Sequence, residues 1–130
     1  MKSGDFIYAK THAEFLNKAF GTNYNGWMKS VWRYNDNMVV WMVRFNQTDG
    51  GWRNTFVSNN CIREENIGGH TTWDGKPLEW LDRTKIAIEI TGQGNSRKYT
   101  FRGVYKYNEK NSNPINCRYY DKISDEIKTR

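Results

Sequence analysis

The amino-acid sequence predicts an α+β fold, in which a small, strongly bent antiparallel sheet or an open β-barrel accompanies a short N-terminal helix. Three observations support this class. A helical pattern with start and stop signals occurs near the N-terminus, two segments carry the turn residues of β-hairpins, and alternating polarity marks several further strands. The chain has 130 residues and no linker-like stretch, so we expect one domain over residues 1–130.

The first predicted elements are a short strand at residues 4–8 and the helix that follows it. Thr11 and Glu14 have the spacing of a capping box, in which each residue satisfies a backbone N–H at the start of the helix. Apolar residues recur at helical spacing as far as Phe20, and Gly21 is typical of a helix end. The sequence therefore predicts one short amphipathic helix.

The next predicted unit is a hairpin around residues 48–51, whose Thr-Asp-Gly-Gly sequence is a strong turn signal. Residues 38–45 are apolar and β-branched enough for a central strand, and residues 52–57 are expected to return as its partner. Residues 58–82 are rich in Gly and Asn, and within them we expect a short strand at residues 61–65.

A second hairpin is predicted from residues 85–91, which alternate in polarity, through a Gly-rich turn at residues 92–95. Residues 97–107 form its long second strand. A last strand is expected at residues 116–120, and residues 121–130 are predicted to be a frayed helix or tail.

The strand at residues 97–107 allows two interpretations. Strict alternation groups its aromatic positions on one face and its cations on the other, namely Tyr99, Phe101, Gly103, Tyr105 and Tyr107 against Lys98, Arg102 and Lys106. Rings can stack on bases while cations bind phosphates, but one flat surface cannot use both faces. The simpler interpretation puts the rings inside and leaves a basic row outside, which could hold a phosphate backbone.

Charge and cysteine content limit the class of partner. Twenty Lys and Arg against fourteen Asp and Glu give a net charge of +6, which favours polyanions, nucleic acid first, although it also serves solubility. Cys61 and Cys117 are too few for a disulfide scaffold and are expected to be reduced thiols. No stretch has the length of a membrane span or the pattern of a signal peptide, so we expect a cytoplasmic protein without a membrane partner.

No motif in the sequence predicts catalysis. His70 could serve as a general base, but no nucleophile motif accompanies it, and a lone loop histidine is usually polar surface. There is no metal-finger spacing, phosphate-cradling loop or dinucleotide motif. We therefore expect a non-enzymatic protein without a cofactor or metal.

Six tryptophans are an unusual number for a chain of this length. Trp27 and Trp73 lie among Gly and Asn residues, where a ring could line a pocket around an extruded base or a ligand cation. The competing interpretation is that large rings replace aliphatic residues in the core. The sequence leaves the two open.

Several segments together resemble a known family. They are Gly4-Asp5, the Glu-Phe-Leu-Asn of residues 14–17, Phe20-Gly21, Gly26-Trp27-Met28, Trp52-Arg53-Asn54 and the aromatic run of residues 98–105 around Gly103. Their order over residues 4–107 is similar to the modified-base-reading domains of the PUA-like superfamily, of the SRA and EVE types, which often lie N-terminal to an HNH restriction nuclease. The resemblance implies a bent β-barrel that binds DNA, in preference to RNA, and holds a flipped or modified base in an aromatic pocket.

The resemblance also implies site residues. The stacking residues would be Trp27, Trp52, Trp73 and Tyr99, and the phosphate-binding residues would be Arg53, Arg97, Lys98 and Arg102, with Lys106 added from the basic row. A chain without a following nuclease fits a stand-alone reader or a decoy made by a phage or mobile element. The alternative function is an anti-defence protein that inhibits a host defence enzyme or sequesters a cyclic nucleotide signal.

Overall fold

Nine strands and one α-helix form in residues 1–49, 51–68, 84–112 and 116–129, which are the residues that the computed structural model describes. The order is β1 (Phe6–Tyr8), α1 (His12–Phe20), β2 (Val31–Arg33), β3 (Met38–Val43), β4 (Thr48–Asp49), β5 (Trp52–Ser58), β6 (Cys61–Asn66), β7 (Thr84–Thr91), β8 (Lys98–Tyr107) and β9 (Cys117–Ser124). A 3₁₀ turn, Gly94–Ser96, lies between β7 and β8. These elements agree with the predicted α+β class.

The strands form one open sheet in the order β2-β3-β7-β8-β9-β6-β5-β4, with β1 paired to β8 beside this path. Among the described residues the sheet has two ends, β2 and β4, so these strands do not close into the barrel of the second predicted architecture. The sheet is nevertheless bent. Trp41 of β3 and Tyr120 of β9 are three strands apart, about 14 Å in a flat sheet, yet their ring centroids lie 5.7 Å apart.

The helix has the end signals that the sequence contains. The Thr11 hydroxyl accepts a hydrogen bond from the backbone N–H of Glu14 at 3.1 Å, and Gly21 takes the left-handed conformation at φ 67°. The Glu14 carboxylate accepts from the backbone N–H of Lys10 rather than from that of Thr11. The buried side of α1 covers one face of the sheet. This helix is too short and too polar to cross a lipid bilayer, and the described residues contain no other α-helix.

The prediction of the first hairpin is wrong about which strands pair with each other. The two-residue β4 pairs with the start of β5 across the predicted turn, but most of β5 pairs with β6. The β3 strand instead lies between β2 and β7, and its pairing with β7 is parallel rather than antiparallel. The physical reason is burial. Residues 39–42 are buried on both faces, as suits a strand inside the sheet, and the chain turns away at Asn46, which has φ 62°.

The second hairpin, β7 with β8, forms as predicted, but a β-bulge divides β8. Gly103 lies opposite Ala87 and Phe101 lies opposite Ile88, so Arg102 is an extra residue on its strand. Phe101 therefore packs under the helix, whereas Tyr105 packs on the other face of the sheet. The prediction of a single aromatic face is wrong, because the bulge shifts the alternation by one residue.

Residues 121–124 are strand, in the segment 121–130 that was expected to be a frayed helix or tail. The β9 strand begins at Cys117 and continues to Ser124, and Glu126 then forms a β-bridge with Lys2. The N-terminal amino group donates to the carbonyl oxygen of Ile127 at 2.7 Å. The two ends of the described chain are thus held side by side.

The bent sheet has a different core on each face. We call the face under α1 the helix-side core; it contains α1 and apolar residues of β3, β7 and β8, including Ile88 and Phe101. We call the other face the concave core; it contains Trp41, Phe45, Ile62, Ala87, Tyr105 and Tyr120. The bend brings the strands at opposite ends of the sheet towards each other across the concave core.

Candidate functional site

A cavity of about 440 Å³ lies where the two ends of the open sheet face each other. Such a volume is within the range of ligand pockets in proteins. One wall comes from β3 and the residue after it, the other from β5 and β6, and the rim from the first residue of α1 and the residue before β8. The lining includes Trp41, Val43 and Arg44, then Trp52, Asn54 and Glu64, and at the rim His12 and Arg97.

Two buried polar residues of this lining, Asn54 and Glu64, belong to a row across three strands. Asn54 on β5 lies opposite Glu64 on β6, and Glu64 lies opposite Arg118 on β9. The guanidinium Nη2 of Arg118 lies 2.7 Å from Oε1 of Glu64, and its Cζ lies 4.8 Å from the centre of the Trp52 ring. Arg118 therefore holds both a carboxylate and an aromatic ring of the cavity in position.

Asn54 contributes an unsatisfied polar atom to the cavity. The residue is only 7% exposed, and its Oδ1 has no hydrogen-bond partner within the described part of the protein. Its backbone carbonyl is already engaged by the N–H of Asn46 at 2.7 Å. Because buried polar atoms are nearly always paired, this amide is suited to bind a polar group that enters the cavity.

A further cation lies behind the cavity wall in the concave core. The Lys85 ammonium is 5.6 Å from the centre of the Trp41 ring and 5.4 Å from that of Tyr120. Burial lowers the pKa of Lys85 to about 8, although the Glu64 carboxylate acts in the opposite direction. Burial also raises the pKa of Tyr120 well above its usual value. Burial therefore disfavours charge in the concave core, and the two rings and the Glu64 carboxylate offset part of that cost for Lys85.

The rim of the cavity is positively charged and hydrogen-bonded. Nη2 of Arg44 donates to the carbonyl oxygen of Gly92 at 2.7 Å, and this hydrogen bond connects the end of β3 to the β7–β8 turn. Arg97 Nη2 donates to the Tyr99 hydroxyl at 2.6 Å, and Nδ1 of His12 lies 2.8 Å from the same hydroxyl. Burial, and to a lesser extent Arg97, lowers the pKa of His12. The rim thus offers two arginines and a histidine whose neutral form is favoured.

The predicted stacking residues lie in different places. Trp52 lines the cavity, whereas Trp27 packs on Tyr24 with ring centroids 5.0 Å apart and contacts the helix-side core. Tyr99 has no exposed surface, and its ring is stacked on Phe15 at 4.7 Å, so only its hydroxyl bonds to residues of the rim. Trp73 lies outside the described residues, as does His70.

The predicted phosphate-binding residues do not form one row. Arg97 is at the cavity rim, and Arg53 is exposed on β5. Arg102 pairs with Glu89 and lies over the Phe56 ring at 3.9 Å. Lys98 covers the Phe6 ring at 4.6 Å, and Lys106 is exposed beyond the bulge. The bulge at Arg102 breaks the alternation that would have aligned these cations.

Several residues of the site were not predicted from the sequence, among them His12, Arg44, Asn54, Glu64 and Arg118. The sequence does contain a signal for Asn54 and Glu64. Asn54 is two residues from Phe56, and Glu64 is two residues from Ile62, so each shares a face with an apolar residue of a predicted strand. A polar residue on the apolar face of a strand is typical of a binding site. Only the pairing of β5 with β6, however, brings Asn54 and Glu64 together.

The positions of the cysteines and acidic residues that the structure describes bear on whether these side chains could hold a metal ion. Within the described residues, no group of three or more His, Cys, Asp or Glu side chains lies close enough to hold a metal ion. Cys61 and Cys117 are both free thiols. Cys61 lies opposite Asp121 and Cys117 opposite Glu65, so the two are at different ends of the β6–β9 pair.

Comparisons with known proteins give a family and a fold. The family model described as the SET and RING associated (SRA) domain matches residues 1–129. The structure is similar to that of "The 5-Hydroxymethylcytosine-Specific Restriction Enzyme AbaSI", with a TM-score of 0.73 and 20% sequence identity. The match covers 97% of this chain and 40% of that one, so the chain spans less than half the length of the enzyme. A search of the curated proteins finds no match.

Proposed function

Because the chain belongs to the family of SRA (SET and RING associated) domains, we propose that it is a DNA-binding module that takes one modified base, rotated out of the duplex, into the cavity between β3 and β5. The sequence resemblance to base-reading domains supports the proposal independently of the cavity. The structurally similar enzyme is described as specific for 5-hydroxymethylcytosine, which makes a modified cytosine the first base to test. The proposed activity is binding alone, and no described residue is assigned a catalytic step.

The observation that carries the proposal is the buried polar floor of the cavity. Asn54 has an amide oxygen without a described partner, and beside it Glu64 is held by Arg118. Burying such groups costs free energy unless a ligand or the protein satisfies them. A base is a suitable ligand, because its edge carries both N–H donors and acceptor atoms.

The chemistry of the floor defines which base edge it can satisfy. A carboxylate accepts hydrogen bonds only, so Glu64 calls for an N–H donor such as the exocyclic amine of cytosine. The Asn54 amide both donates and accepts, so it can bind the neighbouring ring nitrogen or carbonyl. The Trp52 ring, fixed under Arg118, provides an aromatic surface for the base.

The rim provides the contacts to the DNA backbone. Arg44 and Arg97 line the cavity. Each donates from its Nη2 to a neighbouring protein oxygen, and this hydrogen bond fixes the orientation of the guanidinium. An arginine presents five N–H donors, so further donors remain for a phosphate. We expect affinity to fall steeply between 50 and 200 mM salt, because each phosphate contact releases counterions.

The test is a titration of three DNA duplexes that differ only in one central cytosine, which is unmodified, 5-methylated or 5-hydroxymethylated. Binding is followed by the quenching of tryptophan fluorescence at two salt concentrations. We expect a preference for one of the modified duplexes, and we expect Asn54→Ala to weaken that complex about tenfold by removing one base contact worth ~1–3 kcal/mol. The matched control is Asn60→Ala, which removes an exposed asparagine side chain on the turn between β5 and β6.

Two outcomes would contradict the proposal. Equal affinity for the three duplexes, in wild type and Asn54→Ala alike, would mean that the cavity does not bind the base. Binding of free mononucleotides or cyclic nucleotides without any binding of DNA would point to a nucleotide-sequestering protein instead.

A further inference from the structure

Two neighbouring aromatic side chains on β1 are exposed to solvent. Phe6 is 48% exposed and Tyr8 is 54% exposed, and their rings meet edge to face with centroids 5.4 Å apart. Both point to the same face, because they are two residues apart on a strand. Ile7 between them packs against the helix-side core, so it fixes β1 with both rings turned away from that core.

One cation lies over this aromatic pair and a second bonds to its backbone. Lys98 lies opposite Tyr8 on β8, and its ammonium is 4.6 Å from the centre of the Phe6 ring. Lys18 donates from its ammonium to the carbonyl oxygen of Tyr8 at 3.0 Å, while pairing with Glu14. We call Phe6, Tyr8 and Lys98 the β1 strip. It combines two exposed rings with positive charge.

The β1 strip is on the same face of the sheet as the cavity wall. Val43, which lines the cavity, lies opposite Glu89 on β7; Glu89 lies opposite Thr100 on β8; and Thr100 lies opposite Phe6 on β1. Residues opposite each other share a face, so this row leads from the cavity to Phe6 in three strand spacings, about 14 Å. The strip therefore lies close enough to the cavity for a nucleic acid with one base in the cavity to reach it.

We propose that the β1 strip binds unpaired bases of the DNA strand next to the base in the cavity, by stacking on Phe6 and Tyr8 and by contact of Lys98 with the backbone. This inference rests on the proposed function for the position of the DNA. Aromatic side chains interleaved with cations are the common surface for single-stranded nucleic acid, because every base has a face that stacks. The strip would therefore contact the DNA at a second place, separate from the floor of the cavity.

The charge of the strip favours nucleic acid over a protein partner. Interfaces between proteins are depleted in lysine at their centre, whereas here the ammonium of Lys98 covers one of the two rings. Two rings also form a much smaller surface than the roughly 800 Å² that each partner of a stable protein complex buries. A strand of negatively charged backbone with stacking bases satisfies both features of the strip.

The experiment compares two forms of the same labelled duplex, one blunt and one with a six-nucleotide single-stranded flank beside the central base. Fluorescence anisotropy gives both affinities for the wild type and for the Phe6→Ala/Tyr8→Ala variant. We expect the flank to strengthen wild-type binding by at least about fivefold, the effect of one stacked base. We expect the double variant to lose this gain and to bind the blunt duplex like wild type.

The control variant is Ile123→Ala, which removes an equally exposed apolar side chain from β9, outside the strip. Thermal unfolding of each variant checks that it is folded, and Lys98→Gln, which keeps both rings, is a second probe that should lose part of the gain. A folded double variant that keeps the full flank gain overturns the proposal. The proposal is also overturned if the wild type self-associates in ultracentrifugation while the double variant is monomeric, because the strip would then bind a second copy of the chain.

The two proposals fail in different ways. If the modified base adds nothing to the affinity but the flank still does, the proposed function is wrong and the strip binds single strands independently. If the modified base adds affinity but the flank does not, the cavity reads the base and the strip has no part in it.

Discussion

The two faces of the sheet differ in whether charged side chains are buried in their cores. The helix-side core is built of apolar and aromatic side chains such as Leu16, Ile88 and Phe101. On the other face, Glu64, Lys85 and Arg118 are buried beside the rings of the concave core. Buried ion pairs rarely add stability over an apolar core of the same volume. The buried charges of the concave core are therefore not expected to add stability over an apolar core, and the proposed function assigns them to ligand binding.

The largest expected effect comes from breaking the buried ion pair. Arg118→Met leaves the Glu64 carboxylate buried without its partner, and we expect a loss of ~3–5 kcal/mol in the free energy of unfolding. Adding Glu64→Gln should recover part of that loss, because the carboxylate left by Arg118 is removed although buried Lys85 then loses its nearby negative charge, while base discrimination stays lost. Urea denaturation of the single and double variants measures the loss and its recovery.

The control is on the other face of the sheet, where Ile88→Val should lower the free energy of unfolding by only ~1 kcal/mol and leave DNA binding unchanged. A double variant as unstable as Arg118→Met would contradict the assignment.

The next effect concerns the bulge that divides β8 between the two faces. Gly103 has φ 134°, and a Cβ there would lie 2.8 Å from Cε of Lys122 and 3.2 Å from the carbonyl oxygen of Ser124. We expect Gly103→Ala to lower the free energy of unfolding by ~1–3 kcal/mol. The control is Gly26→Ala, where a Cβ meets no atom within 4 Å, and its effect should be close to zero. Equal thermal stability of the two variants would mean that the bulge can relax.

The smallest expected effect is the pH dependence contributed by His12, which contacts Tyr99 of the helix-side core. Burial lowers the pKa of His12 below 6.5 in the folded protein, so the unfolded chain takes up the proton first as pH falls. The stabilising contribution is therefore complete above pH 6.5 and is lost as pH falls through the folded pKa. Denaturation at pH 7 and pH 5 should show a smaller decrease for His12→Gln than for wild type. Identical decreases would exclude this contribution.

Local signals in the sequence predicted local structure well. Thr11, Glu14 and Gly21 act within one or two turns of a helix, and the helix forms between them. The β7–β8 hairpin likewise forms around Gly92, whose φ of 73° and close approach to Ser96 leave no room for a side chain. Capping and turn chemistry involve neighbours in the chain, so a single sequence contains all of the interacting groups.

Pairing between distant segments could not be predicted in the same way. The sequence placed residues 38–45 beside residues 52–57 because a turn lies between them, yet β3 pairs in parallel with β7, more than forty residues away. The site depends on such pairing. Asn54 and Glu64 become neighbours only through the β5–β6 register, and Arg118 joins them only through that of β9.

The sequence by itself determined the α+β class, the helix with its caps, the second hairpin and a resemblance to base-reading domains of the family to which the chain belongs. These rest on short-range backbone chemistry and on residue order. Only the tertiary structure decided that the sheet stays open, that the rings of β8 divide between two faces and that a carboxylate and an amide form the floor of a cavity. The reason is physical: burial is shared among distant strands, and one bulge reverses which side of a strand is buried.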